Sequence, residues 1–325
     1  MPTRDRLYGV LNSIPVIPST DENVMNSEPV PGFPGIRLAR SQFGLSVLFD
    51  AERDEVPRQG ETFASVRVFY AVPSEIQADG EIIEGRFTII QLLEQDPVLE
   101  SALLDLVSLF IDTESSLNAG SVQAFIKRFQ RLLGEAHQVS ESEILGLWGE
   151  LFILAQSSDP EIAVPAWHIT PTQKFDFMSG ADRVEIKTTV GLRSHEFSLE
   201  QLRPNEPIES HVISIVTAHG HGPTILELVQ RVAALAGNQE QAQRVIDLSI
   251  QTLGSSWLEA RDACYDAELA NSDIRIFDAG SIPAVGEVPT EVSGVRFHVD
   301  LTQMNSVGDF SKLSILSRAI LPNEH

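Results

Sequence analysis

Phe175-Asp-Phe-Met-Ser-Gly-Ala-Asp-Arg-Val-Glu-Ile-Lys187 is the stretch of this chain whose reading decides its fold. Phe175-Asp176-Phe177 and Val184-Glu185-Ile186-Lys187 each alternate apolar with charged residues at period two, the pattern of a half-buried strand. Gly180-Ala181 between them suits a tight hairpin, with glycine supplying the positive φ. Closing the hairpin there sets Ser179 opposite Asp182, Phe177 opposite Val184 and Asp176 opposite Glu185. Side chains alternate along a strand, so Glu185 and Lys187 share a face with Asp176. Two carboxylates facing each other across a ladder stand about 5 Å apart at Cβ and repel unless a cation sits between them. A divalent metal satisfies that geometry, which makes Asp-x8-Glu-x-Lys a candidate metal-dependent phosphodiesterase site.

The segment before the hairpin adds a further acid. Ser140-x-x-Glu143 is a capping box and places a helix start. Ile144, Leu145, Leu147, Trp148, Leu151, Phe152, Ile153 and Leu154 then leave almost no polar face, so the helix to about residue 156 reads as buried all round. Glu150 lies in its middle, and a buried carboxylate must be paired, protonated or bound to a cation. It is either an acid supporting the metal site or the partner of a buried Arg or backbone donor. After the hairpin, Ser198-x-x-Gln201 reads first as another capping box, and second as a helix start or Gln201 amide placed to touch a phosphate. His195 is within reach of such a phosphate, but a lone histidine at a strand end is usually structural. His219-Gly-His221-Gly, with His211 upstream, reads as a glycine-rich turn, because no cysteine or spaced histidine set completes a zinc site. Walker, dinucleotide and Gly-x-Ser-x-Gly motifs are all missing, which disfavours an ATPase, a dehydrogenase or an α/β-hydrolase.

The order Gly146-Leu-Trp-Gly-Glu150-Leu, Phe175-Asp176-Phe177, Val184-Glu185-Ile186-Lys187-Thr188-Thr189, then His195-x-Phe-Ser198-x-x-Gln201-Leu202 resembles an uncharacterised bacterial family of PD-(D/E)XK proteins. The four-part match spans roughly residues 140–205 and is far more specific than the bare motif. The resemblance implies an α/β (α+β) fold with a restriction-endonuclease-like core, a mixed sheet flanked by helices. It also implies Mg2+-dependent DNA cleavage, with Mn2+ able to substitute. Asp176 and Glu185 would hold the metal, with the Ile186 carbonyl as a third ligand. Lys187 would orient or activate water and steady phosphate charge, and Glu150 would match the acid of the preceding helix. Members occur in restriction-like, phage-defence gene neighbourhoods beside methyltransferase and helicase-type ATPase partners. Phe175 stands where the motif has proline, a departure that is frequent in this superfamily. Residue chemistry adds that a lysine beside a metal has its pKa lowered by like charge, suiting proton transfer.

Around this centre the chain reads as three parts. Residues 1–115 form a mainly β N-terminal domain, with a proline-rich extended lead-in to about 35, strands in 36–90 and a helix over 98–111. A linker follows at 113–120. Residues 121–222 hold the nuclease-like core, with helices at 121–134 and 141–156 and strands near Trp167, in the hairpin, at 194–197 and at 211–217. Residues 223–325 form a helical C-terminal region, with helices at 224–236 and 239–264 and late strands at 274–277 and 295–301 available to complete the core. The hydrophobic fraction of 42% is ample for such cores. Cys264 is the lone cysteine, which excludes an internal disulfide and fits a reducing compartment. With no signal-like or membrane-spanning run, the expectation is a soluble cytoplasmic protein without membrane contact. A net charge of -23 opposes tight DNA binding by this chain alone and calls for a partner that delivers DNA. It equally suits a catalytically inactive, nuclease-fold interaction subunit that binds partner proteins. Double-strand cleavage would call for a homodimer.

Overall fold

The computed structural model describes residues 3–15, 25–41, 44–63, 65–78, 81–114, 117–134, 139–168, 173–203, 208–286, 288–289 and 291–322. The chain divides into two compact units, Met1–His137 and Gln138–His325. It is a mixed α+β protein, in keeping with a PD-(D/E)XK-like fold.

In order, the first unit holds α1 (Thr3–Ser13), β1 (Asn26–Val30), β2 (Phe33–Arg40), β3 (Leu45–Asp50), β4 (Arg58–Phe63), β5 (Val66–Ala78), β6 (Glu81–Leu92), α2 (Pro97–Thr113) and α3 (Ala119–Gly134). The strands lie in the order β1-β2-β3-β6-β5-β4. The free edge of β1 also meets β5 in parallel at Asn26–Gln77, so five strands curl into a barrel. A bulge between Phe69 and Val72 makes the bend in β5, with Ala71 at φ +50°. Alternation along β3 sends Phe49 outward against Phe110 of α2 and Phe125 of α3, while Leu48 turns inward to Ala39, Ile76, Phe87 and Ile89. Because α3 packs on this barrel, the first unit extends to residue 137 rather than ending near 115. Residues 115–116 of the expected linker lie outside the described set.

The lead-in is not wholly extended. Residues 3–13 form α1, which docks on α2 by burying Leu7, Val10 and Leu11. Arg4 pairs with Asp105 at 2.8 Å and the Tyr8 hydroxyl shares a short hydrogen bond with Ser101. A short, weakly apolar segment is marginal as a lone helix, so tertiary docking supplies what local propensity does not.

The second unit holds α4 (Glu141–Leu154), α5 (Pro160–Ala166), β7 (Phe177–Ser179), β8 (Asp182–Val190), β9 (Ser194–Ser198), α6 (Leu199–Leu202), β10 (Glu209–Thr217), β11 (His219–Thr224), α7 (Ile225–Leu235), α8 (Gln239–Leu253), α9 (Trp257–Ala260), β12 (Cys264–Tyr265), α10 (Ala267–Ser272), β13 (Ile274–Asp278), β14 (Arg296–Asp300) and α11 (Ile315–Ile320). Its four-stranded sheet runs β13-β10-β8-β7 and is mixed: β8 and β10 are parallel, and both outer pairings are antiparallel. Strand β14 pairs with β9 in a separate ladder, whose Phe197 joins Leu202, Val212, Phe277 and Leu301 in a core cluster.

Three local expectations change. No regular strand forms at Trp167; α5 ends there and Trp167 makes a single bridge to Phe177. The expected 239–264 helix stops at Leu253, because Gly254 takes φ +48° and ends the helical run before a short 3-10 turn and α9. The His219-Gly-His221-Gly stretch is strand β11, paired with β12, rather than a turn. Its glycines serve close packing, since a Cβ on Gly222 would stand 2.1 Å from the Tyr265 carbonyl. Among the described residues no helix is long and apolar enough to cross a membrane.

Candidate functional site

The hairpin closes as its sequence requires. Ser179 faces Asp182 and Phe177 faces Val184 around Gly180, whose φ is +56°. The ladder stops at Phe177, however, so the expected Asp176–Glu185 pairing is not a backbone pairing. Asp176 turns its carbonyl to the His168 N–H at 2.9 Å, and its Oδ2 accepts the Ile186 N–H at 2.6 Å. The Asp176 side chain thereby takes the place of the next rung, with its carboxylate aimed at β8. Strand β8 also departs from the half-buried reading. Val184, Glu185 and Ile186 are all buried, because β8 lies inside the sheet between β7 and β10 with α4 packed across it.

Helix α4 starts at the expected capping box, where the Ser140 N–H donates to Glu143 at 2.8 Å. Its approach to β8 is unusually close at Gly149, where a Cβ would lie 1.8 Å from Thr188 Oγ1. Glycine at 149 brings the next residue, Glu150, over the hairpin. Glu150 is half-buried rather than fully enclosed, and its partner is neither an arginine nor a backbone donor. Its Oε2 accepts the Trp167 indole N–H at 2.7 Å and lies 2.8 Å from His168 Nε2. The turn carrying these two residues is held from α8: the Arg244 guanidinium donates to the carbonyls of Val164, Trp167 and His168.

Glu185 is 4% exposed and has two partners on one oxygen. Its Oε1 meets Lys187 Nζ at 2.8 Å and accepts from Gln201 Nε2 at 2.6 Å. Its Oε2 is buried with no hydrogen-bond partner. Ser198-x-x-Gln201 is a complete capping box, and the same Gln201 amide that closes it also donates to Glu185 and the Lys174 carbonyl. Gln201 accordingly positions a carboxylate.

Electrostatics follow from crowding. Burial, then the charges of Glu150 and Glu185, push the Asp176 carboxyl well above the usual range, against Lys187 and the Ile186 N–H. Burial raises Glu185 too, although Lys187 and Gln201 oppose it. For Lys187 burial pulls the pKa down, but Glu185 and Asp176 outweigh it and leave it raised. The lowering expected beside a metal belongs to the ion-bound site; the carboxylates by themselves hold the lysine proton more tightly. His168 follows the same logic: burial lowers its pKa, while the hydrogen bond and charge of Glu150 and the charge of Glu185 raise it overall.

The sequence-derived residues Glu150, Asp176, Glu185, Ile186, Lys187 and Gln201 therefore meet at one place. His195 does not join them; it is buried on β9 with Nε2 2.6 Å from Ser214 Oγ, and burial, with Lys187 and Arg193, lowers its pKa to about 3. His211 is also buried, against Ser317. Two residues escaped the sequence reading, Trp167 and His168. Among the described residues the potential ligand atoms that gather belong to Glu150, His168 and Asp176, within 4.8 Å of one another. The Glu185 carboxylate stands outside that group, tied to Lys187. The visible signal for His168 was only its adjacency to a tryptophan with no apolar periodicity around it. The two carboxylates and the imidazole of that group, with an unpaired buried oxygen on Glu185 besides, form a donor set that suits a divalent cation.

A mixed sheet with Asp and Glu-x-Lys on a hairpin, and a helix-borne Glu above it, is the arrangement of the PD-(D/E)XK class. Residues 84–302 match the family DUF4420, described as "Putative PD-(D/E)XK family member". That match covers more than half of the chain, and the protein belongs to this family. No curated protein and no solved structure matches it.

Proposed function

We propose that this chain is a metal-dependent DNA endonuclease, hydrolysing phosphodiester bonds as a subunit of a restriction-like or phage-defence system. The observation that carries this reading is the convergence of Glu150, Asp176, Glu185 and Lys187, with one buried Glu185 oxygen lacking any partner. Asp176 and Glu185 would hold Mg2+ or Mn2+, with Glu150 or His168 beside them. The Ile186 carbonyl is available as well, since a strand residue's C=O points to the same edge as its N–H, which Asp176 caps. When bound, the ion supplies Lewis-acid stabilisation of phosphate charge and lowers the pKa of water. Lys187 would orient or activate the attacking water and steady negative charge on the phosphate. Gln201 fixes the Glu185 rotamer, and the Trp167 indole fixes Glu150.

The net charge of -23 favours a partner that presents the DNA, such as a methyltransferase or helicase-type ATPase of the same system. A homodimer would account for double-strand cleavage. The same charge supports the second reading, a catalytically inactive interaction subunit. Nicking of supercoiled plasmid, with Mg2+ or Mn2+ and with co-expressed partners, tests both. Cleavage that falls to background in Asp176→Asn, Glu185→Gln and Lys187→Met supports the endonuclease. Full activity in any of the three refutes the assignment, and partner binding without cleavage in the native protein favours the interaction subunit.

A further inference from the structure

The barrel of the first unit is not solidly filled. A cavity of about 1080 Å³ opens from its interior, a size that small-molecule sites commonly reach. Its inner wall is β6 viewed at period two: Phe87, Ile89 and Gln91, with Phe69 from β5. Gln91 is 4% exposed at the cavity's end, with Arg67 opposite it in the β5–β6 ladder. Directly opposite it in the β3–β6 ladder is Ser46, whose fully buried hydroxyl has no hydrogen-bond partner. Two polar groups placed side by side in a barrel interior are costly unless something satisfies them.

Two further features shape the space. Ala71, a non-glycine residue at φ +50°, lies in the bulge between Phe69 and Val72, and both neighbours line the cavity. Such backbone strain concentrates at ligand sites. Gly85 lets the Phe87 ring pack against the backbone of β6, since a Cβ there would come within 2.7 Å of the ring. The rim is polar and carries Arg53 and Arg86 together with Asp50, Glu75 and Glu84. The Arg86 guanidinium is oriented by donating to the Glu55 carbonyl at 2.9 Å.

We propose that this barrel interior binds a single nucleotide, as a nucleoside or its monophosphate. The partly buried Phe69 ring suits the flat base, and a carboxamide pairs its donor and acceptor with the base edge, as glutamine does with adenine. Guanidiniums at the mouth suit one phosphate, and carboxylates accept ribose hydroxyls. Three carboxylates against two guanidiniums leave no surplus positive charge at the rim, which disfavours a polyphosphate. The same chemistry is offered by a free nucleotide and by one rotated out of a strand. The site lies wholly in the first unit and does not depend on the metal-site reading.

The test uses the full-length chain in two arms. Isothermal titration with the deoxynucleosides and with their monophosphates reads the free ligand. Fluorescence of an oligonucleotide carrying 2-aminopurine, which brightens on leaving the base stack, reads the strand-borne one. Gln91→Met keeps the side-chain volume and removes the amide; Arg53→Ala probes the exposed rim and leaves the barrel interior untouched. The expected result is saturable binding in one arm, weakened about tenfold by Gln91→Met, the equivalent of ~1.4 kcal/mol. Arg53→Ala should weaken the monophosphate more than the nucleoside. Absence of binding in both arms, or binding that both variants leave unchanged, overturns the proposal. Melting curves identify any variant that fails to fold, and the other variant then carries the test.

Discussion

Gly149→Ala is the substitution on which the geometry of the second unit speaks most directly. In most helices this change is stabilising, by up to ~1 kcal/mol of propensity. Here the new Cβ would stand 1.8 Å from Thr188 Oγ1, 2.9 Å from Thr188 Cβ and 3.2 Å from Thr188 Cγ2. Rotating the threonine removes the first overlap but not the second, because Cβ is fixed to the backbone of β8. Helix and strand must therefore separate. Overpacking of this kind costs about 1–3 kcal/mol, which outweighs the propensity gain at all but its lower end. Denaturant unfolding should show a net loss of about 1–2 kcal/mol, a Tm shift of roughly 2–8 °C for a unit of this size. Thr188→Ala removes two of the three contacts and a buried hydroxyl that has no partner, so it should be close to neutral alone. In the double variant it should recover part of the loss, since the 2.9 Å contact with the Cβ at 188 remains, giving a coupling energy of at least ~0.5 kcal/mol. Because Glu150 rides on the displaced turn, Mn2+ affinity should fall in Gly149→Ala and return in part in the double variant. A Gly149→Ala protein as stable as the native one, with unchanged Mn2+ binding, would refute the close-approach argument.

Other consequences can be measured separately. His195 has a pKa of about 3 in the native state against ~6.5 unfolded, so between those values the unfolded chain binds the extra proton. Its contribution to stability is complete above pH 6.5 and is lost as pH falls toward 3, up to about 5 kcal/mol at ~1.4 kcal/mol per unit. Across that window the stability difference between the native protein and His195→Gln should rise with pH; a parallel pair of curves would contradict it. His168→Ala should weaken Mn2+ binding, measured by calorimetry, by about tenfold or more through loss of one ligand atom of the Glu150–His168–Asp176 group. Unchanged affinity would remove His168 from the site. Arg244→Met should lower Mn2+ affinity while sparing the sheet, since it releases the Val164, Trp167 and His168 carbonyls, and unaltered affinity would show that the turn holds itself. Gln201→Glu keeps an acceptor for the Ser198 N–H but sets a carboxylate against Glu185, so metal binding should weaken at neutral pH with little change in Tm. Equal affinity there would mean that Gln201 does not position Glu185.

The residues of the candidate site were legible because each is announced by a short-range rule. The turn at Gly180, the period-two charges of β8 and the capping boxes at Ser140 and Ser198 are local events, settled within a few residues of chain. From them came Glu150, Asp176, Glu185, Lys187 and Gln201, and the α+β character of the chain. What these residues do to one another was not local. Whether Lys187 gains or loses proton affinity depends on the groups that face it, and Glu185 and Asp176 by themselves raise it. His168 and Trp167 reach Glu150 across a loop, and Arg244, nearly eighty positions on, holds them there. The closing of the first sheet through a single parallel pairing of β1 with β5, and the docking of α1, are likewise contacts between distant segments. Periodicity and turn chemistry are written in neighbouring residues. The dielectric, the partner of a buried charge and the closure of a barrel belong to the packed chain, because each depends on which distant groups exclude water from the same place.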